Sequence, residues 1–333
     1  MKMKEKILRG LTWLPPLLVI LAFVHPIART LARWDWRLDL LTHFQEPALV
    51  VSLLAVIASF LTKRRSVVVV LLLLAVFQAE PVFRYSLPNP VKPANPNGPR
   101  LRILMANVLV DNSSYELLSR FIRETKPDIV GLVEVSDAWV AGLAEIAKEY
   151  PYRLDQPNEA RGLSLWFKKK PITIDQARQA TSEGWPFLHA SFRFDGSTRH
   201  LWLVHPASPM RRRGKFTGFP ELDALADVVA KQEGSTIVVG DLNTTDGSPH
   251  FRDFLGVTGL RDSRRGFGRQ ASWPVGSPFQ IAIDHAFVSN DWAVVERKQG
   301  PSIGSDHRPF WIELAPSANA LRTLEAKDSA SAK

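Results

Sequence analysis

Three long apolar runs crowd the first quarter of this 333-residue chain and constrain everything that follows. The first, Leu8–Ile27, carries ionisable side chains only near its ends, at Arg9 and His25. At about 1.5 Å of rise per residue, a helix of that length crosses the roughly 30 Å hydrocarbon core of a bilayer. Ala48–Leu61 and Val67–Ala79 follow. Each is short for a full crossing, but each can extend, through Leu40–Pro47 and Glu80–Phe83. The basic turn Thr62-Lys63-Arg64-Arg65-Ser66 between them predicts a helical hairpin with its turn at one membrane face. Residues 1–86 are therefore expected to form a membrane region with about three transmembrane helices, the first kinked at Pro15-Pro16. A secretory signal peptide competes for the first run, and buried soluble helices for the other two. The proline pair, the lack of a small-x-small cleavage site and the back-to-back runs favour the membrane.

The net charge of +9 points first to nucleic acid, but its distribution points elsewhere. Residues 1–99 hold 12 Lys and Arg against 5 Asp and Glu, a net of +7, while residues 100–333 hold 30 against 28, a net of +2. Basic residues packed around apolar spans report membrane topology. Lys2, Lys4, Lys6 and Arg9 before the first run and Lys63–Arg65 between the other two belong on the cytoplasmic side, which three crossings satisfy together. The expected product is a multi-pass cell-membrane protein whose remaining domain lies outside the cytoplasm. Arg29, Arg33 and Arg37 run against this rule, partly offset by Asp35 and Asp39. The chain has no cysteine, which excludes disulfides, zinc–thiolate sites and a Cys nucleophile.

Pro88, Pro90, Pro93, Pro96 and Pro99 make residues 87–99 a linker, expected to be an extended, stiff spacer holding the next domain off the bilayer. That domain covers 100–315, and the Ala-, Ser- and charge-rich residues 316–333 read as a disordered tail. Within the domain, strands are predicted at Leu101–Val110, Asp128–Val135, Leu163–Phe167, Phe187–Phe194, His200–His205, Thr236–Val239, Ile281–Val288 and Phe310–Leu314. Helices are predicted at Ser114–Lys126, Asp137–Glu149 and Phe219–Gln232. Strands outnumber helices and the helices fall between them, which favours an α/β fold of two packed sheets flanked by helices over one doubly wound sheet.

Polar residues cluster where these strands end. Asn107, Glu134, Asp241 with Asn243, Asp284 with His285, and Asp306 with His307 each lie at or near a predicted strand edge. In Gly240-Asp241-Leu242-Asn243 the carboxylate and carboxamide alternate, so both face the same side. Taken singly, each has a plain explanation: a solvated edge residue, a turn, a backbone cap or, for His205, a satisfied core histidine. Together they call for a common partner, because a charge inside an apolar strand is costly unless paired or metal-bound. Without Cys or a close His pair, oxygen ligands and hence Mg²⁺ or Mn²⁺ are expected.

The ordered set Asn107, Glu134, His205, Asp241-x-Asn243, Asp284-His285 and Ser305-Asp306-His307-x-Pro309 resembles the endonuclease/exonuclease/phosphatase superfamily over about residues 100–315. The resemblance implies a four-layered α/β sandwich and hydrolysis of a phosphate ester in a nucleic acid or a phospholipid headgroup. It implies that Glu134 is the principal metal ligand, with Asn107 beside it and Asp306 near the ion. It further implies that Asp241 orients or deprotonates the attacking water and Asn243 holds a phosphate oxygen. His307 would contact the scissile phosphate with Asp284 orienting its ring, and His205 would bind phosphate or protonate the leaving oxygen. Two basic clusters could hold an anionic substrate: Arg211, Arg212, Arg213 and Lys215, and Arg261, Arg264, Arg265 and Arg269 before Trp273. No obligate protein partner is implied. A catalytically silent binding module on the same fold, or a membrane protein whose domain is incidental, are the competing functions.

Overall fold

The computed structural model describes residues 13–178, 185–212 and 219–318. Its N-terminal third is helical: α1 (Leu14–Leu31), α2 (Trp36–Leu41), α3 (Gln45–Leu61) and α4 (Arg65–Phe83). α1 and α4 are long and apolar enough to cross a membrane, whereas α3, at 17 residues, is shorter. The expected three crossings thus reduce to two helices of spanning length and a third apolar helix packed with them. Most of their surface faces outward, with only 17% of the apolar window in α1 and 22% of that in α4 buried. Polar side chains clamp the bundle. Ser52 Oγ donates to Gln78 Oε1 (3.0 Å), and Gln78 Nε2 donates to the Ala22 carbonyl (3.1 Å), tying all three long helices together.

The rest of the chain forms two six-stranded sheets packed face to face. One runs β11-β12-β1-β2-β4-β3 and the other β5-β6-β7-β8-β10-β9. Their strands are β1 (Leu101–Asn107), β2 (Ile129–Val133), β3 (Tyr152–Gln156), β4 (Leu163–Phe167), β5 (Thr173–Arg178), β6 (Pro186–Phe194), β7 (Ser197–Val204), β8 (Ser235–Asp241), β9 (Arg261–Asp262), β10 (Asp284–Val288), β11 (Trp292–Gln299) and β12 (Phe310–Pro316). The two inner faces share one core, including Ile103, Met105, Leu203, Val239 and Ile312. Helix α5 (Tyr115–Thr125) covers the first sheet's outer face, and α6 (Pro220–Ala230) and α7 (Pro249–Thr258) cover the second's. Four layers result, matching the expected sandwich. Central strands β2 and β8 are buried throughout, which explains the apolar runs Ile129–Val133 and Ile237–Val239. The helix expected over Asp137–Glu149 is broken at Leu143, just after Gly142, where a Cβ would lie 2.4 Å from the Tyr115 ring.

Each sheet has one parallel pair at its centre, β1 with β2 and β7 with β8; the other pairings are antiparallel. The carboxyl ends of these four strands lie at one end of the sandwich. β10 and β12, antiparallel to β8 and β1, begin at that same end. The polar positions singled out at strand edges, His285 apart, are thereby delivered to one place.

The segment 87–99 does not hold this sandwich off the helices. Ala94 N–H donates to the Pro316 carbonyl (2.8 Å), and Pro93 bridges to Ser317, so the linker lies along the domain beside β12. The helices dock directly. Tyr85 at the end of α4 accepts the Gly266 and Gly268 N–H groups on its carbonyl (2.9 and 3.1 Å), and its hydroxyl accepts from Arg264 Nη2 (2.7 Å). Arg33 forks onto Asp253, and Arg269 pairs with Glu46. Arg29 lies 5.4 Å from the centre of the Phe77 ring, and Arg37 pairs with Asp35 at 3.7 Å. The three arginines that broke the topology pattern are therefore engaged at the docking end of the bundle. Ser317 bridges to the linker, and residues 319–333 of the expected tail lie outside the described residues.

Arg264 is the buried keystone of this contact. It pairs with Asp262 at 2.6 Å and Asp246 at 3.3 Å, and its guanidinium stacks 4.0 Å from the centre of the Tyr85 ring. Burial alone would raise the Asp262 carboxyl, but the Arg264 charge and its hydrogen bonds overcome this and hold it at about 2. Arg264→Ala strands two carboxylates and should cost about 3–5 kcal/mol, read as a lowered melting temperature of the full chain in detergent. A depressed carboxylate stabilises the fold above its ordinary pKa of 3.8, and that contribution disappears as pH falls towards about 2. Asp262→Asn should flatten the loss of stability across that window, which acid titration of the melting temperature would detect.

Candidate active site

Glycine builds the first wall of the site. β8 lies parallel to β7 with Gly240 opposite Val204, and a Cβ on Gly240, at φ +156°, would meet the Val204 carbonyl oxygen at 1.8 Å. Only glycine lets β8 run to its end and deliver Asp241 there. Asn243 follows at φ +53°, and across the cleft Glu134 ends β2 at φ +63°. Both are left-handed conformations that cost a non-glycine residue about 1–3 kcal/mol, and such strain concentrates at functional sites.

Asp241, almost wholly buried, is the hub. Its Oδ1 accepts the Asn243 N–H (2.8 Å), and its Oδ2 accepts from Asn107 Nδ2 (3.0 Å). The same Oδ2 lies 3.6 Å from His205 Nε2 and 3.7 Å from His307 Nε2. Asn107 Nδ2 also donates to Glu134 Oε1 (3.0 Å), which lies 3.7 Å from His205 Nε2. His307 Nδ1 lies 2.8 Å from Asp284 Oδ2, fixing the ring with its Nε2 towards Asp241. Asp284 stands opposite Asp241 in the β8–β10 register.

Electrostatics link these groups. Burial pushes the Asp241 carboxyl up to about 6 against the lowering pull of His307, with Asp284 adding to the rise and His205 opposing it. Burial would lower His307, but the Asp284 and Asp241 charges, with the Asp284 hydrogen bond, raise it to about 10. The arrangement therefore favours an imidazolium held between two carboxylates.

Ligand atoms of Glu134, His205 and Asp241 lie within 4.8 Å of one another, as do those of Asp241, Asp284 and His307. A further oxygen, Asp284 Oδ1, is buried without a hydrogen-bond partner among the described residues. Closely spaced carboxylates of this kind fit a hard divalent cation.

Asn107, Glu134, His205, Asp241, Asn243, Asp284, Asp306 and His307 thus converge at one end of the sandwich. Several of their polar groups are engaged within the chain. Asn107 presents its amide nitrogen to the carboxylates, while its oxygen accepts the Leu109 N–H (3.0 Å). Asn243 Nδ2 donates to the Pro206 carbonyl (3.0 Å). Asp306 stands at the rim, its Oδ2 accepting from Trp273 Nε1 (2.8 Å), so Trp273 lines the cleft and positions an acid. His285, next to Asp284, points the other way: its Nε2 lies 2.9 Å from the Thr244 carbonyl oxygen and its ring packs on Phe251.

Three of the four arginines in the second basic cluster are engaged within the chain. Arg264 and Arg269 are consumed in docking, and Arg261 donates to the Ser289 and Trp292 carbonyls. From the first cluster, Arg211 and Arg212 end the short helix Pro209–Arg212, while their side chains, with Arg213 and Lys215, lie outside the described residues. Sequence reasoning missed Leu40, His43, Leu109, Trp185 and Met210, which also line the cleft of about 210 Å³. A tryptophan stacked edge-on to His205 (Trp185, centroids 5.6 Å apart) carries no motif.

Residues 106–307 match the model of the endonuclease/exonuclease/phosphatase family, a span that opens one residue before Asn107 and closes at His307. No curated protein matches the chain. Similar solved structures include an endonuclease/exonuclease/phosphatase family protein from Leptotrichia buccalis C-1013-b (17% identity, TM-score 0.53, covering 64% of this chain and 99% of that one). D. rerio TDP2 complexed with single strand DNA product aligns at 19% identity and TM-score 0.55, covering 65% and 99%. An endonuclease/exonuclease/phosphatase from Bacteroides vulgatus aligns at 16% and 0.53, covering 66% and 100%. At these identities the structures speak to the fold alone. The family match covers more than half of the sequence, and the chain belongs to the endonuclease/exonuclease/phosphatase family.

Proposed function

We propose that this protein is a membrane-tethered, metal-dependent phosphoesterase that hydrolyses a phosphodiester or phosphomonoester outside the cytoplasm. The observation that carries the reading is the meeting of Asp241, His205, Glu134 and the His307–Asp284 pair in one cleft. Asp241 orients the attacking water and takes its proton. The water oxygen bonds to phosphorus as the bond to the leaving oxygen breaks, and His205 supplies the proton that the leaving oxygen takes up. His307, kept cationic by Asp284 and Asp241, stabilises negative charge on the phosphoryl oxygens. Asn243 adds a contact to the phosphate. Glu134, with Asn107 and Asp306 nearby, would hold Mg²⁺ or Mn²⁺, which supplies further charge neutralisation at the phosphate. The phosphate ester belongs to a nucleic acid or a lipid headgroup, and the DNA product held by a structural relative keeps the first class in view.

Tethering is supported by two helices of spanning length, by how little of them is buried, and by the basic turn at Arg64 and Arg65 lying at the opposite end of the bundle from the docking contacts. Asp241→Asn and His307→Gln should each lower kcat/KM on bis(p-nitrophenyl) phosphate by about 10²–10⁴-fold in protein that remains folded by circular dichroism. EDTA should abolish wild-type turnover, and Mg²⁺ or Mn²⁺ should restore it. Full activity in either variant, or in EDTA, would sink the assignment. Because the chain has no cysteine, topology can be read by single substitutions at exposed positions. In intact cells, a membrane-impermeant maleimide should label Lys169→Cys in the sandwich and leave Arg64→Cys in the helical turn unlabelled. The reverse pattern would place the site in the cytoplasm.

A further inference from the structure

Two residues lining the catalytic cleft, Leu40 and His43, come from the helical third and not from the sandwich. Their position is fixed by the loop that leaves Asp241-Leu242-Asn243. His43 Nδ1 lies 2.9 Å from Thr245 Oγ1, and Ser248 Oγ donates to Asp39 Oδ1 (2.6 Å) while also capping α7. Gly247 passes so close that a Cβ there would lie 2.0 Å from the Thr42 carbonyl oxygen. A contact this tight sets the join between α1 and α3 at a fixed distance from the catalytic carboxylate.

The cleft's lining favours one kind of substrate. Leu40, Leu109, Trp185, Met210, Trp273 and Ile281 give it an apolar wall facing the carboxylates and imidazoles. A lining of this kind suits a phosphate carried on an apolar group. Beside Leu40, the side chains of Trp34, Leu41 and Phe44 are 68%, 41% and 39% exposed. Exposed aromatic and aliphatic groups at the end of a spanning bundle are characteristic of the bilayer interface.

We propose that the segment from Trp34 to Phe44 is the substrate-facing wall of the active site. It admits the phosphate head of a membrane-resident amphiphile, a phospholipid or a compound of that class, while the acyl portion stays in the bilayer along Leu41 and Phe44. The inference rests on the phosphoesterase reading, and the bonds made and broken are those of that hydrolysis. It assigns Leu40 a role in substrate selection, through contact with the region where head meets tail.

The test uses the full chain reconstituted in phosphatidylcholine vesicles carrying phosphatidylglycerol or phosphatidic acid. The comparison substrates are the deacylated counterparts glycerophosphoglycerol and glycerol 3-phosphate, bis(p-nitrophenyl) phosphate and a single-stranded oligonucleotide. The wild type should turn over one of the lipids with kcat/KM at least 100-fold above its deacylated counterpart and above the oligonucleotide. Leu40→Asp should reduce that acylated-to-deacylated ratio at least tenfold. The proposal is overturned if bis(p-nitrophenyl) phosphate is cleaved while neither lipid is preferred over its deacylated form, or if the oligonucleotide is the better substrate. An unchanged ratio in a folded Leu40→Asp protein also overturns it. Should that variant fail to fold, the wild-type ratio alone decides. Failure to cleave any phosphate ester would instead remove the phosphoesterase reading beneath it.

Discussion

A buried carboxylate organises the whole end of this molecule. Asp241 has almost no contact with solvent, and an ion so placed persists only where neighbouring dipoles and opposite charges replace water. Here the replacements are the Asn243 N–H, the Asn107 amide and the two imidazoles of His205 and His307. Each comes from a different strand end, so the charge can be accommodated only once both sheets have packed. The requirement runs the other way too. His307 is held cationic by Asp284 and Asp241 together, so removing either acid alters the proton affinity of a base on another strand. The site is an electrostatic unit spread across the two halves of the sandwich.

What was legible in the sequence follows from where each strand sits. Every strand expected from an apolar run is an internal strand of a sheet, among them β1, β2, β7 and β8. The strands that went unread are the four at the sheet edges, β3, β5, β9 and β11. Edge strands pair on one side only and interleave charged residues with apolar ones, as Arg153 and Asp155 do in β3 and Glu296 and Lys298 in β11. Their composition therefore resembles loops. For the same reason the polar groups that close the cleft were visible only when they ended an apolar run. Glu134 and Asp241 stand out against the strands before them. Trp185, Leu109 and Met210 have no such contrast, and their place in the cleft is set by tertiary packing.

Charge was harder to read than apolarity. The basic residues from Arg261 to Arg269 have the composition of an anion-binding patch, yet Arg264 is enclosed by Asp262, Asp246 and Tyr85, and Arg269 reaches Glu46. Their partners are more than 170 residues away in sequence for Tyr85 and still further for Glu46. Asp262 lies only two residues from Arg264, but the distant partners that complete these contacts leave no mark on the local sequence. The linker misled in a related way. Its prolines do keep it out of regular structure, but stiffness does not set direction, and the chain runs along the sandwich to meet Ser317.

These docking contacts and the polar groups of the cleft share a single stretch of chain. The residues immediately after Asn243 receive His43, Thr42 and Asp39 from the helical third, and Ser248 begins the helix that packs beneath β8 and β10. Glycine at 247 removes the one side chain that would hold the two parts apart. Two units joined only by a connector need no such arrangement, because a flexible connection would serve equally well. Lining the cleft with Leu40 and His43 makes the position of the helices part of the cleft's own shape. The helical third is on this view part of the binding surface, and the sandwich without it would present a cleft with one wall missing.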